Sequence, residues 1–343
     1  MFKKIFYVLF VALLIAAYVG YNKYQAVFKA NVPSTLVDPY LYIPSGASYE
    51  KIVNLLLDKR MLINEDDFHW VAEKMSYKKS KMRTGRFKIE PGWSNRKLIQ
   101  HLRAGKQATV KVVLNNERLP EEVAGKVAKE LEADSLSLLN KFRDPATLEK
   151  YNLNPATLMT LFIPNTYEFF WNQNPDDFMK RMSKEHKKFW SKNDRLKKAE
   201  KKGMSPEEVY TLASIVERET LRKDEKRRIA GVYLNRLKTN MLLQADPTVV
   251  FATRDFTTRR VLNRHLKVDS PYNTYKYTGL PPGPISMASI SSLDAVLDGE
   301  DHDYIFFCAK GDGSGYHAFA KTLVGHNQNA RRYKLNLKKR GLR

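Results

Sequence analysis

The feature that most constrains this chain is an uncharged run near its start. Met1-Phe-Lys-Lys is followed by seventeen residues, Ile5 to Tyr21, without a single charge. As a helix at about 1.5 Å per residue they reach about 25 Å, the short end of what spans a bilayer. Phe2, Tyr21 and Tyr24 supply interfacial anchors, and Lys3 and Lys4 can snorkel to the headgroups. A cleaved signal peptide is the rival, but no clean A-x-A site follows the run, and Tyr18, Tyr21 and Tyr24 occupy the place where one belongs. The expectation is therefore a stub at residues 1–4 and a single anchor at 5–21. Lys3 and Lys4 stand before the run and Lys23 and Lys29 after it, which tips the N-terminus only weakly toward the cytoplasm.

Composition narrows what the remainder can be. Lys and Arg number 59 against 37 Asp and Glu, a formal charge of +22, and 43% of residues are hydrophobic. That apolar share excludes wholesale disorder, and the charge points to an anionic partner: nucleic acid, acidic lipid or an acidic polymer. One cysteine, Cys308, excludes an intramolecular disulfide and a thiolate zinc site. The seven His show no metal-ligand spacing, so neither metal nor cofactor is expected. No nucleic-acid-binding motif accompanies the charge, and nucleic acid is not expected as a partner.

After a polar connector around residues 28–38, a strand–turn–helix pattern recurs. It reads Leu41-Tyr-Ile-Pro-Ser-Gly-Ala-Ser48, Phe87-Lys-Ile-Glu-Pro-Gly-Trp-Ser94 and Val112-Val-Leu114, each followed by apolar residues at helical spacing. Ser48 and Ser94 are candidate N-caps, and Gly46 and Gly92 suit the turns. Residues 36–108 thus form a small domain whose pattern resembles LysM, a glycan-binding module; a generic α+β unit fits the same spacing. Residues 111–343 form a larger body, with helices expected over 120–132, 136–142, 175–193, 205–220 and 224–238. Beyond Asp246, strands and loops are expected, Tyr304–Ala309 being a good strand. The fold class is α+β. Lys184–Lys202 carries nine Lys/Arg against three acids, read as a solvated face or as a landing strip for anionic polymer or lipid. Gly311-Asp-Gly-Ser-Gly315 lacks the helix and Lys-Ser/Thr pair of a phosphate cradle and reads as a hairpin turn; Glu300-Asp-His-Asp303 reads as a solvated loop.

Chemistry concentrates on one helix. Ser205-Pro-Glu-Glu208 is a capping box with Pro at the first helical position. In the helix that follows, Val209, Leu212, Ala213, Val216 and Thr220 share a face, with Glu217 on one border and Glu219 on the other. A half-buried carboxyl facing a cleft has a raised pKa and makes a competent general acid. Helix geometry does not choose between the two acids, and surface ion pairs with neighbouring arginines explain them equally well. Four further segments are polar on Pro/Gly-stiffened loops, as a sugar site requires: Phe162–Trp171, Leu243–Thr248, Ser270–Ile285 and Gly315–Phe319 with His326-Asn327.

Leu212-Ala-Ser-Ile-Val-Glu-Arg-Glu-Thr220, Val232-Tyr-Leu-Asn-Arg236, Leu243-Gln-Ala-Asp-Pro-Thr248, Tyr272-Asn-Thr-Tyr275, Gly279-Leu-Pro-Pro-Gly-Pro-Ile285 and His317 with His326-Asn327, in this order, resemble the endolytic murein transglycosylases, the YceG-like family. The likeness covers roughly residues 110–335. Asn165 and Gly325 depart from it, standing where an acid is commoner. The resemblance implies an inner-membrane enzyme, its catalytic domain periplasmic, that cuts nascent peptidoglycan glycan strands beside peptidoglycan synthases. It also implies Glu217 as the catalytic acid, leaving 1,6-anhydro-muramic ends. Gln244, Asn273, Thr274 and His317 are then candidates for orienting the glycan, and Tyr167, Tyr272 and Tyr275 for stacking. Asp246 is a substrate contact or, in a hydrolysing muramidase, a second carboxylate. A non-catalytic wall-binding protein is the remaining alternative.

Overall fold

The structure is a computed structural model in which residues 2–258 and 260–342 are described. The chain divides into two compact units, Met1–Lys111 with Glu130–Ala133 and Glu168–Asn174, and Val112–Lys129, Asp134–Tyr167 and Pro175–Arg343. The expected body at 111–343 is thus interrupted by two short returns to the first unit.

The first unit begins with α1 (Phe2–Phe28), a helix of mean hydropathy 2.0 whose apolar window is wholly exposed and which is long enough to cross a membrane. Its 27 residues continue past the expected end at Tyr21. The extra turns are held by packing: Ala26 is buried, its carbonyl accepts from Asn95 Nδ2 at 2.9 Å, and Lys23 Nζ sits 4.3 Å from the Trp70 ring. Then come β1 (Tyr40–Ile43), α2 (Tyr49–Asp58), α3 (Glu65–Lys74), β2 (Gly85–Lys88) and α4 (Asn95–Ala104). Ser48 and Ser94 cap α2 and α4 as their positions in the repeat suggest, each accepting from a backbone amide three residues on. Strands β1 and β2 pair antiparallel, placing Leu41 opposite Phe87, and both side chains are fully buried with Ile52, Leu56, Phe68 and Leu98.

The next strand, β3 (Thr109–Leu114), pairs with β4 (Asn165–Phe170), a partner that local pattern does not reveal. Between them lie α5 (Pro120–Ala128), α6 (Ser135–Arg143) and α7 (Pro145–Lys150). After β4 follow α8 (Pro175–Trp190) and α9 (Arg195–Lys201). The lysines of this basic stretch are mostly exposed, and the break between the helices is made by Asn193 and Asp194, both left-handed. Arg195 is the exception: it is buried and reaches Asp294 through two bonds of 2.7 and 3.1 Å.

At the centre of the second unit is α10 (Pro206–Glu219), packed between α11 (Lys226–Lys238) and α13 (Ile290–Leu297), with α12 (Asp246–Thr253) nearby. Eight consecutive residues, Val209–Val216, are buried, so α10 is enclosed on every side rather than along one stripe. Its polar side chains in this run are satisfied internally: Tyr210 donates to the Phe162 carbonyl at 2.7 Å, and Ser214 Oγ accepts from Ile285 N at 3.0 Å. Gly283 allows that approach of the Gly279–Ile285 loop, since a Cβ there would lie 2.0 Å from the Ala156 carbonyl oxygen. Strands β5 (Phe306–Ala309) and β6 (His317–Ala320) form a hairpin closed by the glycine-rich turn, as expected. Helices α12, α13 and the last element, α14 (Leu323–Lys339), stand among the strands and loops expected beyond Asp246, and β5, expected to be a buried strand from Tyr304, begins at Phe306 and is partly exposed.

The joint between α1 and the first unit rests on buried amides. Asn31 Nδ2 donates to Asn95 Oδ1 at 2.7 Å and to the Asn64 carbonyl at 2.8 Å, and its Oδ1 accepts from Asn64 N at 2.7 Å. Replacing Asn31 by Ala leaves those groups buried and unpaired, at a cost of about 1–3 kcal/mol. Faster amide hydrogen exchange in α4 of the full chain in detergent is the expected outcome.

Candidate active site

Two residues on a helix are about 200° apart in azimuth, so Glu217 and Glu219 leave α10 in opposite directions. Glu217 points to the starts of α11 and α13. Its Oε2 lies 2.8 Å from Lys226 Nζ and accepts from Ser289 N at 3.1 Å, from Ser292 Oγ at 2.6 Å and from Ser289 Oγ. Lys226 is itself buried and also reaches Ser291 Oγ at 3.2 Å. Burial pushes the Glu217 carboxyl up, but the Lys226 ammonium and the two serine hydroxyls more than offset this and hold it below its ordinary value. Glu217, the acid that the resemblance implies, thus also ties three helices together.

Glu219 points the other way, into a cleft of about 540 Å³ lined also by Arg118, Arg218, Asp246, Phe251, Phe256 and Tyr333. The Tyr233 hydroxyl donates to its Oε1 at 2.6 Å. Desolvation raises the Glu219 pKa to about 7, with the Asp246 charge adding to the rise while the Tyr233 hydrogen bond and Arg236 oppose it. Glu219 is also the last residue of α10, where the helix dipole disfavours a negative charge. A second cavity of about 720 Å³ shares Glu219 and Tyr333 in its wall and is otherwise lined by Arg222, the Gly311–Gly315 turn, Tyr316 and His317. Glu219 thus stands in the wall of both cavities.

The structure divides the remaining sequence candidates. Asp246 and His317 reach these cavities. His317 is fixed by the buried Glu225, which accepts from its backbone N and bonds its Nδ1, both at 2.9 Å. Tyr275 donates to Asp246 Oδ1 at 2.6 Å and so positions that carboxylate. Gln244 is exposed on a left-handed backbone beside Arg236, 3.4 Å from Nη1. Asn273 and Thr274, by contrast, are buried braces. Asn273 Nδ2 donates to the carbonyls of Leu266 and Val268 at 2.9 and 2.8 Å, and Thr274 Oγ1 accepts from Ala245 N at 3.0 Å. Tyr272 packs on Phe251 with ring centroids 4.7 Å apart. Tyr167 is 3% exposed with its hydroxyl on the Ile163 carbonyl, so it has no face to offer a sugar. These residues were drawn to the site by polarity, but their polar atoms fold the loops.

Residue-type reasoning missed Tyr233, Arg118, Arg218, Phe256 and Tyr333. The Val232–Arg236 motif carried a signal for the first: Asn235 and Arg236 bind backbone carbonyls before β5, and Tyr233 is left facing Glu219.

The raised carboxyl has a stability signature. Between its unfolded value of about 4.3 and its folded value near 7, the folded state holds the extra proton, so stability falls as pH rises through that window. Glu219→Gln removes the charge. Its melting temperature at pH 8 should exceed that of the parent, with the difference vanishing at pH 4; Glu217→Gln, which strands Lys226, should melt lower at both.

The profile of the YceG-like family matches residues 41–332. A protein of Bacillus subtilis named endolytic murein transglycosylase is 32% identical over 311 residues, covering 85% of this chain and 83% of that one. Proteins of the same name from Streptococcus pneumoniae are 30% identical over 133 residues, 37% of this chain and 24% of theirs. Among solved structures, a YceG-like protein from Listeria monocytogenes is 28% identical with a TM-score of 0.56, covering 84% of this chain and 97% of that one. With most of its length matched by the family profile, and with a relative this similar along most of both chains, the chain belongs to the YceG-like family.

Proposed function

We propose that this chain is a membrane-anchored lytic transglycosylase that cuts peptidoglycan glycan strands internally, with Glu219 as its acid and base. The observation that carries the reading is the Glu219 carboxyl, titrating near 7 in the wall of two adjoining cavities. A hydrolysing glycosidase ordinarily needs two carboxylates flanking the bond. A lytic transglycosylase needs one, because muramic acid brings its own nucleophile. Glu219 first donates its proton to the glycosidic oxygen between N-acetylmuramic acid and N-acetylglucosamine. The leaving sugar departs with that proton as a free hydroxyl. Glu219, now a carboxylate, takes the proton of the muramic C6 hydroxyl as that oxygen closes onto C1. The 1,6-anhydro ring forms, no water is consumed, and the carboxyl ends protonated as it began. Tyr233 holds the carboxyl in place, and the Asp246 charge supports the developing positive charge at C1.

Asp246 also supports a second reading. It shares the cleft with Glu219, and as a general base it would make the enzyme a muramidase hydrolysing the same bond.

The wider reading follows from the anchor and the charge. Helix α1 holds the chain in the inner membrane, with the body in the periplasm beside an anionic polymer that its +22 charge favours. Cutting there, next to a synthase, ends strand growth. The β-α-α-β order of the first unit supports a LysM-like role in holding glycan.

Digestion of uncrosslinked strands with the full chain in detergent, read by mass spectrometry, tests this directly. Products about 18 Da lighter than the hydrolysis products are expected, since no water is added. Glu219→Gln should lower the rate by at least about 10²-fold, the scale of general acid catalysis. The parent rate should fall as pH rises through 7, because the first step needs the protonated carboxyl. Water-added ends that vanish in Asp246→Asn would make the protein a muramidase.

A further inference from the structure

Next to Glu219 stand two arginines that form no salt bridge among the described residues. Arg118 precedes α5 and Arg218 is on α10; both line the Glu219 cleft, and both also line an adjoining cavity of about 650 Å³ with Lys126, Lys129, Glu117 and Glu122. Arg218 Nη2 donates to the Asn116 carbonyl at 3.0 Å, but its Nε is buried with no partner. The Arg118 guanidinium lies 4.5 Å from the centroid of the Phe256 ring, which holds it flat. The acids nearby are already engaged: Glu117 with Lys126, Glu121 with Arg143, and Glu122 with the backbone amides of Arg118 and Leu119. Desolvation lowers the Arg218 pKa and the Arg118 charge lowers it further, while Glu217 and Glu122 oppose them. Two adjacent guanidiniums, one with an orphaned buried N–H, cost the fold stability that one carbonyl bond and one ring contact offset only in part. An anion in the cleft removes both penalties.

We infer that Arg118 and Arg218 form a carboxylate-binding subsite that reads the peptide stem of the strand beside the bond to be cut. The inference rests on the glycan reading above and adds to it what the enzyme recognises besides sugar. Guanidinium forks match a carboxylate through paired, charge-assisted hydrogen bonds. Carboxylates hang from the muramic residues all along a peptidoglycan strand, so an internal cut always has one at hand. A lipid-linked pyrophosphate is also an anion, but it occurs only at the strand's growing end, away from an internal cut.

The test is binding to the full-length Glu219→Gln protein in detergent, which leaves the strands intact. Four short strands serve as probes: one with stems bearing free carboxylates, one with the same stems as carboxamides, one without stems, and one without stems but lipid-linked. The carboxylate strand should bind at least about tenfold more tightly than the carboxamide strand, the lower end for a hydrogen bond to a charged group. Adding Arg118→Gln or Arg218→Gln should bring that ratio close to one, and Arg118→Lys, which keeps charge but loses the fork, should leave it between. Equal binding of the carboxylate and carboxamide strands, or a ratio that survives both Gln substitutions, overturns the subsite while leaving the glycan reading intact. A stemless lipid-linked strand binding more tightly than the carboxylate strand reassigns the arginines to pyrophosphate and overturns it as well. No binding to any strand overturns the glycan reading and this inference together.

Discussion

The functional half of this protein depends on a helix that is buried all round and ends in open space. Because Val209–Val216 are enclosed, α10 cannot rotate or slide without breaking the core. Its last turn is therefore aimed, and the two carboxyl groups there are sent to opposite environments. One meets a lysine and two serines, which hold its pKa below the ordinary value. The other meets a tyrosine, a nearby carboxylate and a cleft, and keeps its proton to about pH 7. Identical side chains two residues apart acquire different chemistry because burial, partners and the helix terminus differ.

The same division between holding and acting runs through the surrounding loops. Thr274, Thr248 and Gln244 N knit the loop after Leu243 to the loop around Tyr272. Arg236 fastens the first of these loops to the approach of β5 through the carbonyls of Leu243 and Ile305, each at 2.7 Å. What these bonds deliver to the cleft is small: the Asp246 carboxylate, set by Tyr275, and His317, set by Glu225. A site for a flexible polymer needs such backing, since its working groups are few and exposed.

Much of the architecture was legible in local chemistry. Caps at Ser48, Ser94 and Ser205, the left-handed break at Asn193–Asp194 and the glycine hairpin are short-range events written in neighbouring residues. The pairing of β3 with β4 was not, because it joins segments some fifty residues apart. Helix α14 was hidden for another reason: it buries no residue fully, so its apolar positions show no clean stripe among the basic ones. At the site, residue type pointed to the region but not to each side chain's partners. Tyr167, Asn273 and Thr274 look like sugar contacts, but each spends its polar atoms on backbone groups. The choice between Glu217 and Glu219 turns on Lys226, Ser289 and Tyr233, whose positions depend on how α11 and α13 pack, and no spacing along α10 encodes that.

The measurement closest to the central claim is a direct titration of the two carboxyl groups by carbon NMR on glutamate-labelled protein, with Glu217→Gln and Glu219→Gln used for assignment. The account predicts that the Glu219 carboxyl titrates near 7 and the Glu217 carboxyl below the ordinary range of glutamate. A Glu219 carboxyl already ionised at pH 5, with Glu217 carrying the raised value, would contradict it and return the acid to the other face of the helix.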